Sequence, residues 1–150
     1  MKKIVGVFSL LFLVSASFAQ IKTPVKWVFS AKKINATTFE LHLKANIDPG
    51  WHVYTIDHTA DIGVATSVSL NANPLAKPKG KLKAIGKPIT MKDPSTGEKV
   101  KFYEKTVDLV QIVTLKAPVK TNFTGSVEFM SCDDKQCLPP TSKTFSIALQ

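Results

Sequence analysis

Apolar and polar residues alternate with a period of two along most of this chain. Phe39, Leu41, Leu43, Ala45 and Ile47 are separated by Glu40, His42, Lys44 and Asn46, the pattern of a strand with one buried and one wet face. Val25, Trp27 and Phe29 alternate in the same way with Lys26, Val28 and Ser30. Asp48-Pro49-Gly50 predicts a turn, and Trp51 to Thr55 returns as a strand. Thr66, Val68 and Leu70 make a short strand closed by Asn71-Ala72-Asn73-Pro74. From Thr106 to Leu115 both faces are apolar, with Val107, Leu109, Val113 and Leu115 on one and Val110 and Ile112 on the other. That pattern predicts a central strand. Val127 and Phe129 open a strand expected to run on to Cys132, and Phe145, Ile147 and Leu149 form the last one. Between Pro74 and Pro94 the chain is rich in lysine and proline, with a weak strand over Lys81 to Ile85, and Asp93-Pro94-Ser95-Thr96-Gly97 reads as a loop. No segment carries a 3.6-residue period. The reading is all-β, an antiparallel β-sandwich without repeats or a dividing linker.

The N-terminus changes the picture by setting the compartment. Met1-Lys2-Lys3, an apolar stretch from Ile4 to Val14, and small residues at Ser17 and Ala19 predict a secretory signal peptide over 1–19, cut before Gln20. No cysteine follows that could carry a lipoprotein anchor, and no later run approaches the length of a membrane span. The domain is then 20–150, outside the cytoplasm and in a periplasmic setting where disulfides persist. A chain of about 130 residues buries enough surface to fold without covalent staples. The formal charge of +9 comes from lysine alone, since the chain has no arginine. Without arginine there is no bidentate base or phosphate reader, so no nucleic-acid partner is expected. The lysines, densest from Lys77 to Lys105, read as a solvated face.

The candidate chemistry is the only pair of cysteines, Cys132 and Cys137, in Ser131-Cys132-Asp133-Asp134-Lys135-Gln136-Cys137-Leu138-Pro139-Pro140. Two thiols separated by four residues can close or open a disulfide at a hairpin neck. Closing so short a loop stabilises the fold by only about 2 kcal/mol, so a purely structural bridge is weakly motivated. Cys132 has the opposite parity to Val127 and Phe129, which predicts that it points away from the core to where another protein can reach it. There is no Cys-x-x-Cys at a helix start to depress a thiol pKa; Asp133 and Asp134 disfavour the thiolate and Lys135 favours it. Three readings stand: redox exchange, a structural bridge, and a metal pair that would need His52 or His58. No metal spacing or cofactor motif supports the last, and no cofactor is expected. The non-catalytic alternative is an extracytoplasmic binding or adaptor module.

The Ser-Cys…Cys-Leu-Pro-Pro hairpin, together with Gly50-Trp51-His52-Val53-Tyr54 and the order of strands between them, resembles the N-terminal periplasmic domain of the thiol:disulfide interchange protein DsbD. The resemblance covers essentially the whole chain after the signal. It implies an immunoglobulin-like sandwich that takes electrons from a transmembrane thiol-disulfide reductase and passes them to exported thioredoxin-like proteins. Carried over residue by residue, it makes Cys137 the thiol that meets the partner and Cys132 the resolving thiol, with His52 and Tyr54 beside the hairpin. It places a cap loop over Lys92 to Lys99, with Phe102 and Tyr103 the nearest aromatic candidates for shielding the sulfurs. Family members continue into a membrane domain, so a reductase on a separate polypeptide and a monomeric relay are expected.

Overall fold

The computed structural model describes residues 22–150; the expected signal peptide and the cut before Gln20 lie outside them. Among the described residues every regular element is a strand, and all pairings are antiparallel. A first sheet has the order β1 (Val25–Lys33), β2 (Thr38–Ile47), β8 (Thr106–Leu115), β5 (Ala76–Ile85). A second consists of β11 (Thr141–Leu149), β9 (Thr121–Phe129) and β4 (Ser67–Leu70). These two layers form the immunoglobulin-like sandwich. Their facing positions are the odd-numbered residues of β2, Val107, Leu109, Val113 and Leu115 of β8, and Phe123, Val127, Phe129, Phe145, Ile147 and Leu149, joined in one buried cluster.

Strand β8 is central, as its two apolar faces predict. The one polar residue on its inward face, Gln111, is buried. Strand β5 shifts register between Lys79 and Lys83, and the Gln111 amide donates to the Lys79 carbonyl at 3.1 Å and to the Ile112 carbonyl at 2.9 Å. The side chain thus offsets its own burial by serving carbonyls near the bulge. Trp27 and Phe29 cover the margin where β1 meets β11, with ring centroids 5.4 Å from Phe129 and 5.2 Å from Phe145 respectively.

A third sheet, which the alternation pattern does not announce, has the order β10 (Ser131–Cys132), β3 (His52–Tyr54), β7 (Lys99–Tyr103), β6 (Ile89–Lys92). The chain enters it from β2 through Asp48-Pro49-Gly50-Trp51. The Trp51 N–H donates to the Asp48 carbonyl at 3.1 Å and Gly50 takes φ +79°. Proline at the second position and a positive φ at the third are the requirements of a type II turn. The strand expected to run from Val127 through Cys132 is in fact two. Strand β9 ends at Phe129, and after Met130 the chain changes sheets and pairs with β3.

Candidate functional site

The third sheet sorts its side chains onto two faces, because directly opposed residues in an antiparallel ladder point the same way. Val53 is paired with Ser131 on one side and with Tyr103 on the other, and Val53 and Tyr103 belong to the main core. The opposite face carries Cys132 paired with His52, and Tyr54 paired with Phe102. There Tyr54, Val100, Phe102 and Cys132 form a second buried cluster, with Ala60, Ile62 and Met130 packed against it.

Cys132 and Cys137 are joined in a disulfide. Cys132 points away from the main core, as its parity predicts. It is nevertheless only 1% exposed, because the far face of this small sheet has a core of its own. Cys137 is the exposed partner, so access to the bridge runs through Cys137 and not through Cys132. The hairpin that presents it is closed by bonds that involve no sulfur. The Leu138 N–H donates to the Ser131 carbonyl and the Asp133 N–H to the Gln136 carbonyl, each at 2.9 Å. The Asp133 carboxylate accepts from the Lys135 and Gln136 N–H groups, both at 2.8 Å. Those bonds, led by the Lys135 N–H, hold the Asp133 carboxyl below its ordinary pKa.

The other expected site residues divide. His52 lies beside Phe102 at 4.5 Å between centroids and meets Tyr54 edge-on at 5.6 Å. The Tyr54 hydroxyl stands 3.8 Å from Cys132 Sγ, within reach of a hydrogen bond donated to sulfur. Burial, aided by the Asp93 carboxylate, pushes the Tyr54 pKa above 10.0, so the hydroxyl keeps its proton. Phe102 is in the site, but as a wall of the buried cluster beneath the hairpin. Tyr103 points to the opposite face and packs in the main core, so it is not a shielding residue. The segment expected as a cap loop is a turn from Asp93 to Glu98 between β6 and β7. It is shaped by the Asp93 carboxylate, which accepts from the Ser95 and Thr96 N–H groups at 2.9 Å. It carries no aromatic side chain.

Two contributors escaped the sequence reading. Val100 lines the cluster, and its alternation with Lys99 and Lys101 was a signal, though a short one. The segment 55–66, which runs from β3 to β4 without regular structure, folds back over Tyr54 and has no periodicity to reveal it. Among the described residues no group of three or more His, Cys, Asp or Glu side chains is arranged to hold a metal ion, and neither His52 nor His58 joins the cysteines in such a cluster.

A family profile described as "Thiol:disulfide interchange protein DsbD, N-terminal" matches residues 19–149. The chain belongs to the DsbD N-terminal domain family. Its Cys132–Cys137 disulfide therefore sits in a thiol-disulfide interchange domain. Solved structures with a similar fold include the N-terminal periplasmic domain of ScsB from Proteus mirabilis, at 16% identity and a TM-score of 0.53 over 81% of this chain. The chain spans 44% of that structure's length. The reduced DsbD N-terminal domain of Neisseria meningitidis is 14% identical with a TM-score of 0.49, covering 75% of this chain and 85% of that one. A complex of the DsbD and PilB N-terminal domains from the same organism gives 13% and 0.45, covering 80% of each chain. No curated protein sequence matches. Among the described residues no helix is long and apolar enough to cross a membrane.

Within this DsbD-family domain, His52 makes the small sheet sensitive to acid. Burial holds its pKa below the ordinary 6.5, and the carboxylates of Glu104, Asp134 and Asp133 only partly oppose the shift. The unfolded chain therefore takes up this proton before the folded one does. The stability tied to neutral His52 is complete above pH 6.5 and is lost as pH falls through the lower folded value. The urea midpoint of the wild type should accordingly drop between pH 7.5 and pH 5.5 by more than that of His52→Gln. Parallel curves for the two proteins would show that His52 is not the group responsible.

Proposed function

We propose that this chain is an exported electron relay in which Cys132 and Cys137 cycle between disulfide and dithiol. In this reading residues 1–19 direct export to the periplasm. A transmembrane thiol-disulfide reductase supplies the electrons, and thioredoxin-like exported proteins receive them. Towards an oxidised partner, the Cys137 thiolate attacks one sulfur of the partner's disulfide and the partner's other sulfur leaves as a thiolate. Cys132 then attacks Cys137 Sγ in the mixed disulfide. The Cys132–Cys137 bond re-forms, the second partner sulfur leaves, and two electrons have passed to the partner. Reloading runs the same steps in reverse, with the donor's thiolate attacking Cys137.

The observation that carries the reading is the unequal exposure of the two cysteines on a hairpin held by its own backbone. An incoming thiolate meets only Cys137, and the leaving sulfur, Cys132, stays protected in its cluster beside the Tyr54 hydroxyl. Because the hairpin's hydrogen bonds do not involve sulfur, opening the bridge leaves the two thiols facing each other and ready to close again.

Equilibration with dithiothreitol and glutathione redox buffers tests this. A relay disulfide should have a potential among cellular dithiol couples, roughly −120 to −270 mV, whereas a structural bridge lies below about −300 mV. A value in the lower range, with no transfer from the reduced chain to an oxidised thioredoxin-fold protein, would favour the adaptor reading instead.

A further inference from the structure

We infer that His58 is a positioning residue for the redox pair, acting through the ring of Tyr54 to hold the phenol hydroxyl against Cys132. This rests on the relay reading for its biological meaning and on the following geometry for its substance.

The segment 55–66 grips Tyr54 at several points. The Thr66 hydroxyl donates to the Tyr54 carbonyl at 2.6 Å. Gly63, at φ +85°, lies so near the ring that a Cβ there would stand 2.2 Å from Tyr54 Cε2. The imidazole of His58 packs on the ring at 4.4 Å between centroids, inclined by 36°. His58 is itself only 9% exposed. Its Nε2 is 2.7 Å from the Ile62 carbonyl, an acceptor, so Nε2 carries the hydrogen and donates it. Nδ1 is buried and has no hydrogen-bond partner among the described residues. An unpaired buried nitrogen costs free energy, and an apolar residue would pack against Tyr54 without that cost. The bond to Ile62 fixes the imidazole plane, and the imidazole fixes the phenol.

The chemical consequence follows from what the hydroxyl faces. In the oxidised protein Cys132 Sγ is a disulfide sulfur, a weak acceptor. After the Cys132–Cys137 bond takes up two electrons, Cys132 is a thiol or thiolate. A thiolate accepts a far stronger hydrogen bond from the Tyr54 O–H. A firmly held hydroxyl therefore stabilises the reduced form more than the oxidised one.

The test is a double-mutant cycle on the equilibrium constant for reduction by dithiothreitol, using wild type, His58→Leu, Tyr54→Phe and the double variant. His58→Leu should shift the equilibrium about threefold to tenfold toward the disulfide, the range of one modest hydrogen bond. In the Tyr54→Phe background the same change should have almost no effect. His58→Gln, whose amide N–H can still reach the Ile62 carbonyl, should recover part of the shift and serves if the leucine variant does not fold. An equal shift with and without the Tyr54 hydroxyl would overturn the inference, as would a fall in melting temperature with the equilibrium constant unmoved. The measurement needs no protein partner. Failure to exchange with thioredoxin-like proteins would thus count against the relay, and an additive cycle would count against His58 alone.

Discussion

Cys132→Ser is expected to accumulate mixed disulfides with exported thioredoxin-like proteins through Cys137, while Cys137→Ser should trap far fewer. Both variants retain one thiol, so the difference reports how each sulfur is held. In Cys132→Ser the remaining thiol stands on the exposed side of the hairpin, and the group that would resolve the mixed disulfide is gone. In Cys137→Ser the remaining thiol is the buried one, walled by Tyr54, Val100 and Phe102. Bringing that side chain to the surface costs roughly 1.5 kcal/mol or more, a factor of about ten in the population able to react. Trapping yields from cell extracts, read on non-reducing gels, should differ by at least that factor. Alkylation of the two variants by iodoacetamide gives the same comparison without a partner. Equal trapping would reject the assigned roles, and no trapping by either variant would leave the disulfide a structural clasp.

The sandwich was legible because its strands are long and one-sided. Phe39 to Ile47 and Phe145 to Leu149 show the alternation that a half-buried ladder requires, and Thr106 to Leu115 shows the double face of a central strand. The small sheet that carries the site was much less so. Strands β6 and β10 are four and two residues long, too short for a period to register, and β7 offers only the brief alternation of Val100 and Phe102 with Lys99 and Lys101. Parity predicted the side to which Cys132 points but not its burial, because the chain changes sheets between Phe129 and Ser131 and the far face of the small sheet has a cluster of its own. The cysteines themselves were plain from their isolation in the sequence. Their unequal burial was not, since Cys132 is covered by residues far away in sequence. His58 and Gly63 belong to a segment with no pattern at all, and only the position of Tyr54 reveals their use.

Gly125→Ala is expected to destabilise the fold by about 3 kcal/mol while leaving the redox potential unchanged. Gly125 lies in the middle of β9, opposite Leu70 of β4 and Phe145 of β11. A Cβ at that position would stand 2.4 Å from the Ser69 carbonyl oxygen and 2.6 Å from Phe145 Cζ. Neither neighbour yields easily. The carbonyl is backbone in a paired strand, and the Phe145 ring is itself packed against Phe29. Relief requires β4 to part from β9 or Phe145 to leave its place in the core. For a domain of this size the loss corresponds to a melting temperature lower by about 10 °C. The potential should not follow, because the cysteine hairpin belongs to a different ladder. Strand β10 pairs with β3, its covering cluster contains no residue of the second sheet, and the connection from β9 is Met130 alone. Thermal melting and redox equilibration of one Gly125→Ala preparation therefore separate the scaffold from the site. A potential that shifts together with the melting temperature would show that the two clusters behave as one core, and an alanine that costs less than about 1 kcal/mol would mean that the ring and the carbonyl can draw back.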